Sequence, residues 1–567
     1  MIVSAISLWK KYNLSSPLNA MGWGVEERDG KIYSHLTYFG HEVEDGRVCI
    51  YARFGRPSGD GTCPAILFLP DVEQTVDQEL MDYFIDKGYA VLVPDYAGKR
   101  TEVDEDSPTR TTDPESLDYG NYAKAKGLYS LEDVETEKTS WIEWTYVALY
   151  SVKYLRVRKD IGNIGIVGVR KGGELAWQTM LSPDVKCGVP INAAGWRSFL
   201  HVAKFGANVP HDLSDDTHRY IAAIEAQSYA PYVKCPVLML CALRDKEFDC
   251  DRAYDTYSRI GVGEGNALVY SPDSGACIGP NALADMDLFL EKNLKGREIY
   301  IPDTLNVSVK EVGDELDIRV ECDKEGILEE TGVFYAEADI KTRSTYRDWH
   351  CVLKVPGRSV KNGVTSCKIK PFEGAAAVYV YAYAKYINGF RVTSKIICKR
   401  LEKPNERAVR SRSLFTGKEM DCFGIADYQD SAIGGIFLEK EAIPKVSVGY
   451  GDIEGAYSVG GIRTYKISSP RYIPEENAFL KFDVYTKETQ VLRVAIEVAD
   501  VETDEERYTC EVEVQGGGKW KRIILKPSQF KGENCGYTLE KFNYGSALVF
   551  DSVEEDKEYS ITNILWL

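Results

Sequence analysis

No stretch of this sequence approaches the roughly 18 consecutive apolar residues that a membrane-spanning helix needs, so a helical membrane protein is excluded. Positive charge is in deficit as well. Sixty-nine lysines and arginines face 87 aspartates and glutamates, and the formal net charge of −18 argues against nucleic acid or an anionic membrane as the main partner. Histidine is scarce: there are six, with no H-x-H or H-x-x-x-H spacing, so neither a zinc site nor any other cofactor is expected. The 14 cysteines include no C-x-x-C pair, and Cys235 and Cys241 sit in or beside apolar runs, which reads as free thiols in a reducing compartment. Met1 to Lys10 lacks a basic segment and a small-residue cleavage site, so no signal peptide is read and a cytoplasmic location is expected. There is no fixed-period repeat and no low-complexity tract. Nothing in the sequence bears on oligomeric state.

What is present is the composition of a folded globular chain, with 44% hydrophobic and 28% charged residues. At 567 residues it is too long for one core, and about three domains are expected. The most informative stretch runs from Ile164 to Trp177. Ile164-Gly165-Ile166-Val167 reads as a buried strand, Gly168-Val169-Arg170-Lys171-Gly172 as a crowded turn, and the residues from Gly173 onward as a helix. This is the strand–turn–helix of a nucleophile elbow, G-x-S-x-G, with Arg170 in the nucleophile's place. A guanidinium stays protonated and carries only donors, so Arg170 cannot attack a carbonyl.

Around the elbow the period alternates between strand and helix. Apolar runs at Pro64–Pro70, Tyr89–Gly98, Val185–Ala194, Pro236–Cys241 and Ala267–Tyr270 read as strands, and Arg47–Arg53 as one of those leading in. Helices are predicted on Val76, Leu80 and Phe84, on Trp141, Trp144, Ala148, Val152 and Leu155, and on Leu283, Met286, Leu290 and Leu294, with Gly296 as a stop. This spacing means a parallel sheet with right-handed crossovers. Between them lie a polar excursion from Lys99 to Lys138, read as lid-like, and an insertion from Gly195 to Tyr229 that holds His201, His211 and His218. From Pro302 the pattern turns to strands alone, with Leu316–Val320 and Ala377–Tyr383 alternating and Asn388-Gly389 marking a hairpin. Leu401–Arg412 reads as a linker. Strand-like runs continue to Ile561–Leu567, the last read as tied into a sheet.

With these elements placed, residues 40–296 resemble the α/β-hydrolase fold, in particular the dienelactone hydrolase and acetyl xylan esterase group. The segment Gly168 to Glu174 is also similar to the elbow of acyl-CoA thioesterases and acyltransferases. Residues 1–300 are therefore expected to form a mostly parallel sheet with helices on both faces, and the short strands of 301–403 suggest an immunoglobulin-like sandwich. Gly518–Ile523, Pro527–Phe530 and Ile561–Trp566 make 404–567 similar to the galactose-binding-like jelly rolls that serve as carbohydrate-binding modules. The hydrolase resemblance implies an acid at Asp245 and a histidine base just before the closing helix. That stretch, Ser271 to Pro280, has no histidine, and Cys277 or Ala276 takes its place. Arg170, Asp245 and Cys277 therefore read as vestigial catalytic positions, with Arg170 and Asp245 expected to pair directly or through water. Arg170 and Lys171 could instead hold an anion, and Cys277 could serve as a nucleophile if a neighbouring cation lowered its pKa. Tyr450, Tyr457, Tyr465 and Tyr472 lie in loop-like stretches and are candidate sugar-stacking residues. The resulting expectation is a degenerate hydrolase that binds a small molecule or carbohydrate, or scaffolds. The alternatives are an active esterase on acylated carbohydrate or acyl thioester with non-standard residues, and a purely structural protein.

Overall fold

The apolar runs, each too short for a stable helix, line up as the centre of a nine-stranded sheet. In a computed structural model of the chain, residues 4–567 are described apart from 73, 75–77, 99–109, 132–133, 201, 207–212, 273–276, 403, 406, 426–431, 439–443, 500–504 and 555–556. The strand order is β1 (Met21–Arg28), β2 (Lys31–Val43), β3 (Gly46–Pro57), β5 (Ala90–Pro94), β4 (Cys63–Leu69), β6 (Ile161–Val169), β7 (Val185–Ile191), β8 (Leu238–Ala242) and β9 (Ala267–Ser271). The first three strands and β5 pair antiparallel, and from β5 to β9 every pairing is parallel. Strands β5, β8 and β9 are buried along their whole length, as their unbroken apolar sequences demand.

Helices α1 (Ala5–Trp9), α2 (Gln78–Asp86), α3 (Ser140–Val157), α4 (Lys171–Thr179), α5 (Asp215–Ala223), α6 (Ala226–Tyr229), α7 (Cys250–Tyr257) and α8 (Pro280–Lys295) flank the sheet. Trp141 and Trp144 of α3 and Trp177 of α4 pack on one face; Phe84 of α2 and Met286, Phe289 and Leu290 of α8 pack on the other. Gly296 ends α8 at φ 69°, the left-handed conformation a stop glycine supplies. Val76, expected in α2, lies outside the described residues. Among the described residues no helix is long and apolar enough to cross a membrane.

The excursion after β5 is not loose where it is described. Thr112 bridges to Cys49 of β3, Leu117 and Tyr119 are buried, and Trp144 Nε1 donates to Gly120 O at 2.6 Å. A sequence rich in Thr, Asp and Tyr looks like solvent-facing loop, yet its few large side chains anchor it on α3.

Beyond α8 the chain is antiparallel β. A three-stranded sheet (Asn306–Val312, Glu315–Glu321, Val364–Ile369) faces a five-stranded one built on Leu328–Ala338 and Ala377–Tyr386. Two six-stranded sheets follow between Ser413 and Trp566. The described residues of 401–412, expected as a linker, are pinned at several points. Leu401 N donates to Ala376 O at 3.0 Å and Asn405 N to Glu373 O at 2.7 Å, while Ala408 packs on Phe372 and Ala375. A small two-strand hairpin, Ala432–Ile433 with Phe437–Leu438, leaves the last β region and docks on the first. Phe437 is fully buried between Tyr83 and Phe84 of α2, and Ile278 pairs with it just before α8.

Candidate functional site

Five consecutive parallel strands of the sheet end at one place, the crevice where sheets of this kind bind ligands. Asp71 follows β4, Arg170 lies between β6 and α4, Lys171 opens α4, Arg197 follows β7, Asp245 and Glu247 follow β8, and Cys277 follows β9. Arg170 stands at φ 47° and ψ −112°, a strained backbone for a residue with a Cβ. Its N–H donates to Ile191 O at 2.9 Å, which fixes the turn against β7. The glycines make the turn feasible. A Cβ on Gly168 would lie 2.4 Å from Gly172 O, and one on Gly172 would lie 2.1 Å from Leu69 O. This strand order, with a strained elbow between a central strand and a helix, decides the architecture. The sheet is α/β-hydrolase-like.

The elbow is surrounded by charge. Arg170 donates from Nε to Asp245 Oδ2 at 2.9 Å and from Nη2 to Asp245 Oδ1 at 3.1 Å, a bidentate fork of the kind guanidinium and carboxylate make best. The expected pair is thus direct. The third nitrogen, Nη1, lies 3.6 Å from Asp71 and 3.7 Å from Glu247. Lys171 Nζ sits 3.8 Å from Asp71 and 3.5 Å from Glu247, and Arg197 Nη1 is 3.9 Å from Glu247. Burial works to lower the Arg170 pKa, but Asp245, Glu247 and Asp71 outweigh it and hold the pKa above its ordinary value. Burial likewise tends to raise Glu247, but Lys171, Arg170 and Arg197 together pull it below the usual carboxylate range.

Behind Arg197, Glu174 of α4 accepts from Gly195 N at 2.8 Å and Ala226 N at 3.1 Å; burial pushes its carboxyl up to about 7, against the opposing pull of Arg197. Cys277 is buried and donates from Sγ to Gly435 O at 3.5 Å; burial pushes its thiol up to about 11, although Arg170 acts the other way. A hairpin from the last β region therefore stands over Cys277. Of the three histidines in the insertion, His218 lies exposed on α5, and His201 and His211 lie outside the described residues, as does Ala276. Among the described residues no group of three or more metal-ligating side chains occurs.

The four tyrosines do not converge. Tyr450 is 61% exposed in a short 3-10 turn, and Tyr457 donates to Glu558 Oε1 at 2.8 Å. Tyr465 lies under the Arg244 guanidinium, 3.7 Å from its ring centre, and Tyr472 packs on the core of the last region. Sequence reasoning missed Asp71, Arg197 and Glu247. Each had one signal: it lies within six residues of the end of an apolar strand, β4 for Asp71, β7 for Arg197 and β8 for Glu247.

No family model and no curated protein matches the chain. Among solved structures it is similar to an acetyl xylan esterase from a Paenibacillus species, at 14% identity over 51% of this chain and 92% of that one, with a TM-score of 0.38. An acetyl xylan esterase from a Thermoanaerobacterium species gives 15%, 48%, 87% and 0.38 in the same order. A 2,6-dihydroxy-pseudo-oxynicotine hydrolase gives 19%, 46%, 68% and 0.32. Likeness at this level identifies no family, and the architecture stands on strand order and elbow geometry.

Proposed function

We propose that this chain is a catalytically degenerate α/β-hydrolase-like protein that acts by binding or scaffolding, with residues 1–300, 301–403 and 404–567 as its domains. The observation that carries the reading is the bidentate Arg170–Asp245 pair at the elbow. Acyl transfer in this architecture needs a nucleophile, a base to deprotonate it and N–H donors for the oxyanion. Arg170 supplies no lone pair. Its side chain occupies the acid that a histidine would otherwise engage. The oxyanion hole of such enzymes draws on the loop after a neighbouring strand; here that loop carries Asp71, whose own Oδ1 accepts from Val72 N at 2.8 Å. Cys277 offers little thiolate near neutrality, because burial keeps its proton on.

The expected result with short-chain aryl esters and aryl thioesters is no turnover above background. Arg170→Ser should stay inactive too, since among the described residues no imidazole stands ready to activate the hydroxyl. Robust wild-type hydrolysis that disappears in Cys277→Ala would overturn the reading in favour of a rerouted thiol enzyme. A carbohydrate role has one observation behind it. Tyr457 and Tyr485 share a cavity of about 130 Å³ with Lys487 and Glu558, an aromatic surface beside polar groups. Affinity electrophoresis through polysaccharide gels, comparing wild type with Tyr457→Ala, tests it; equal mobility of the two in every gel would count against that role.

A further inference from the structure

Glu247 differs from the other carboxylates of the elbow cluster. Asp245 and Asp71 are sealed in, with side chains 0% and 4% exposed, whereas Glu247 is 43% exposed. Three cations surround its carboxylate at 3.5, 3.7 and 3.9 Å, and both guanidinium contacts are too long for hydrogen bonds. Arg197 is the least satisfied of the three. Its side chain is 6% exposed, and its Nε has no hydrogen-bond partner among the described residues. Glu174 and Glu225 lie nearby but spend their oxygens on the backbone N–H groups of Gly195, Ala226, Trp196 and Ser198.

A carboxylate that takes the place of Glu247 beside Arg170, Lys171 and Arg197 leaves the local charge unchanged, whereas a dianion adds a further negative charge next to Asp71, Asp245 and Glu174. Helix α4 begins at Lys171, so its dipole adds partial positive charge at this end of the cluster. Glu247 also forms a wall of a cleft of about 250 Å³ lined by Leu200, Lys246 and Phe248, where Asp251 is paired with Arg347 and Asp249 with Arg252. That is smaller than the roughly 300–1,000 Å³ of pockets that hold drug-sized ligands.

We propose that the elbow cluster is a receptor for a small organic monocarboxylate, whose head group displaces Glu247 from Lys171, Arg170 and Arg197 while its body enters the adjoining cleft. The inference rests on the non-catalytic reading above and names the ligand class of that site. Glu247 is then a tethered stand-in: present at high effective concentration, poorly bonded, and free to swing towards solvent.

Thermal melts of the full chain test this, with sodium acetate as probe, sodium chloride at matched ionic strength as control, and sodium phosphate as the competing anion. Glu247→Ala is expected to melt below wild type, and acetate is expected to restore it saturably at concentrations about tenfold lower than wild type needs for any response. Glu247→Gln, which keeps the shape, provides the same comparison should the alanine variant fail to fold. Adding Arg197→Gln should abolish the rescue. Equal responses of wild type and both Glu247 variants, or equal effects of acetate and chloride, would overturn the proposal. A larger response to phosphate than to acetate would overturn the monocarboxylate assignment. Ester hydrolysis by the wild type would sink the non-catalytic reading and leave the acetate titration unmoved, so the two failures are separable.

Discussion

Arg170 is held by a carboxylate that also accepts from Glu247 N, at 2.9 Å. Asp245 is fully buried and gives both oxygens to one guanidinium, so removing the arginine strands a charge in the protein interior. Breaking one side of a buried pair costs about 3–5 kcal/mol, and the one-fifth exposure of Arg170 puts Arg170→Ala at the low end of that range. Urea melts of Arg170→Ala, Asp245→Ala and the double variant should show a double loss well short of the sum; simple additivity would mean the two are not coupled. Asp285 of α8 gives a residue-scale prediction in pH. Burial raises its carboxyl to about 8, against the opposing pull of Arg391. Between the unfolded value of about 3.9 and that raised value, the native state keeps a proton the unfolded chain has lost. The stability this group contributes is therefore complete below the lower value and falls away as pH rises towards 8, by about 1.4 kcal/mol per pH unit. Asp285→Asn keeps an acceptor for Arg391 N, now 2.7 Å from Oδ1. It should match wild type in urea at pH 4 and exceed it at pH 8.5. The elbow residues were legible because glycine spacing and a buried strand are local. Arg197 and Glu247 were not, since only the parallel sheet brings the ends of β7 and β8 beside β6.

Strand Ala377–Tyr386 shows why alternation can mislead at the scale of an element. Its small residues and tyrosines alternate as on a half-exposed strand, yet nearly every position is buried. The tyrosine face meets the first region, with Tyr379 5.9 Å from Phe205 and Tyr381 5.6 Å from Tyr270, while Val378, Val380 and Ala382 face the other way into a second core. The alternation is one of size, large against the neighbouring region and small against the partner sheet. The docked hairpin was illegible for a different reason. Its two strands have two residues each, too short for any period, and its partners lie more than 150 residues away. Phe437→Ala should cost about 3–5 kcal/mol through the cavity it leaves between Tyr83 and Phe84. Hydrogen exchange checks this directly, because the amides of Ile278 and Leu438 bond across the junction to Ile436 O and Ile278 O. Both should lose protection in the variant, and unchanged exchange at either would show that the hairpin is not held by its phenylalanine.

Across the whole molecule the regions are joined by buried charge as well as apolar surface. Arg347 lies in the second region, 3% exposed, and forks onto Asp251 of α7, with Nη2 to Oδ2 at 2.6 Å, while its guanidinium covers the Tyr379 ring at 3.5 Å. Arg244, from the turn after β8, donates to Thr345 O at 3.0 Å and stacks on Tyr465 of the last region, so one side chain touches all three. Calorimetry of the wild type should show one cooperative transition, and Arg347→Ala should split it as well as lower it, by about 3–5 kcal/mol for the orphaned Asp251. A single sharp transition in the variant would mean the regions are coupled by packing alone. The strand Tyr559–Trp566 has a further consequence. It runs through the interior of its sheet, hydrogen-bonded to Glu454–Ser458 on one side and Leu480–Thr486 on the other, with Ser413–Phe415 also on its edge. A ribosome making this chain delivers the neighbours long before the strand that separates them. Until residue 566 clears the exit tunnel, two open β edges wait with nothing between them, and any message cut short upstream leaves them open for good.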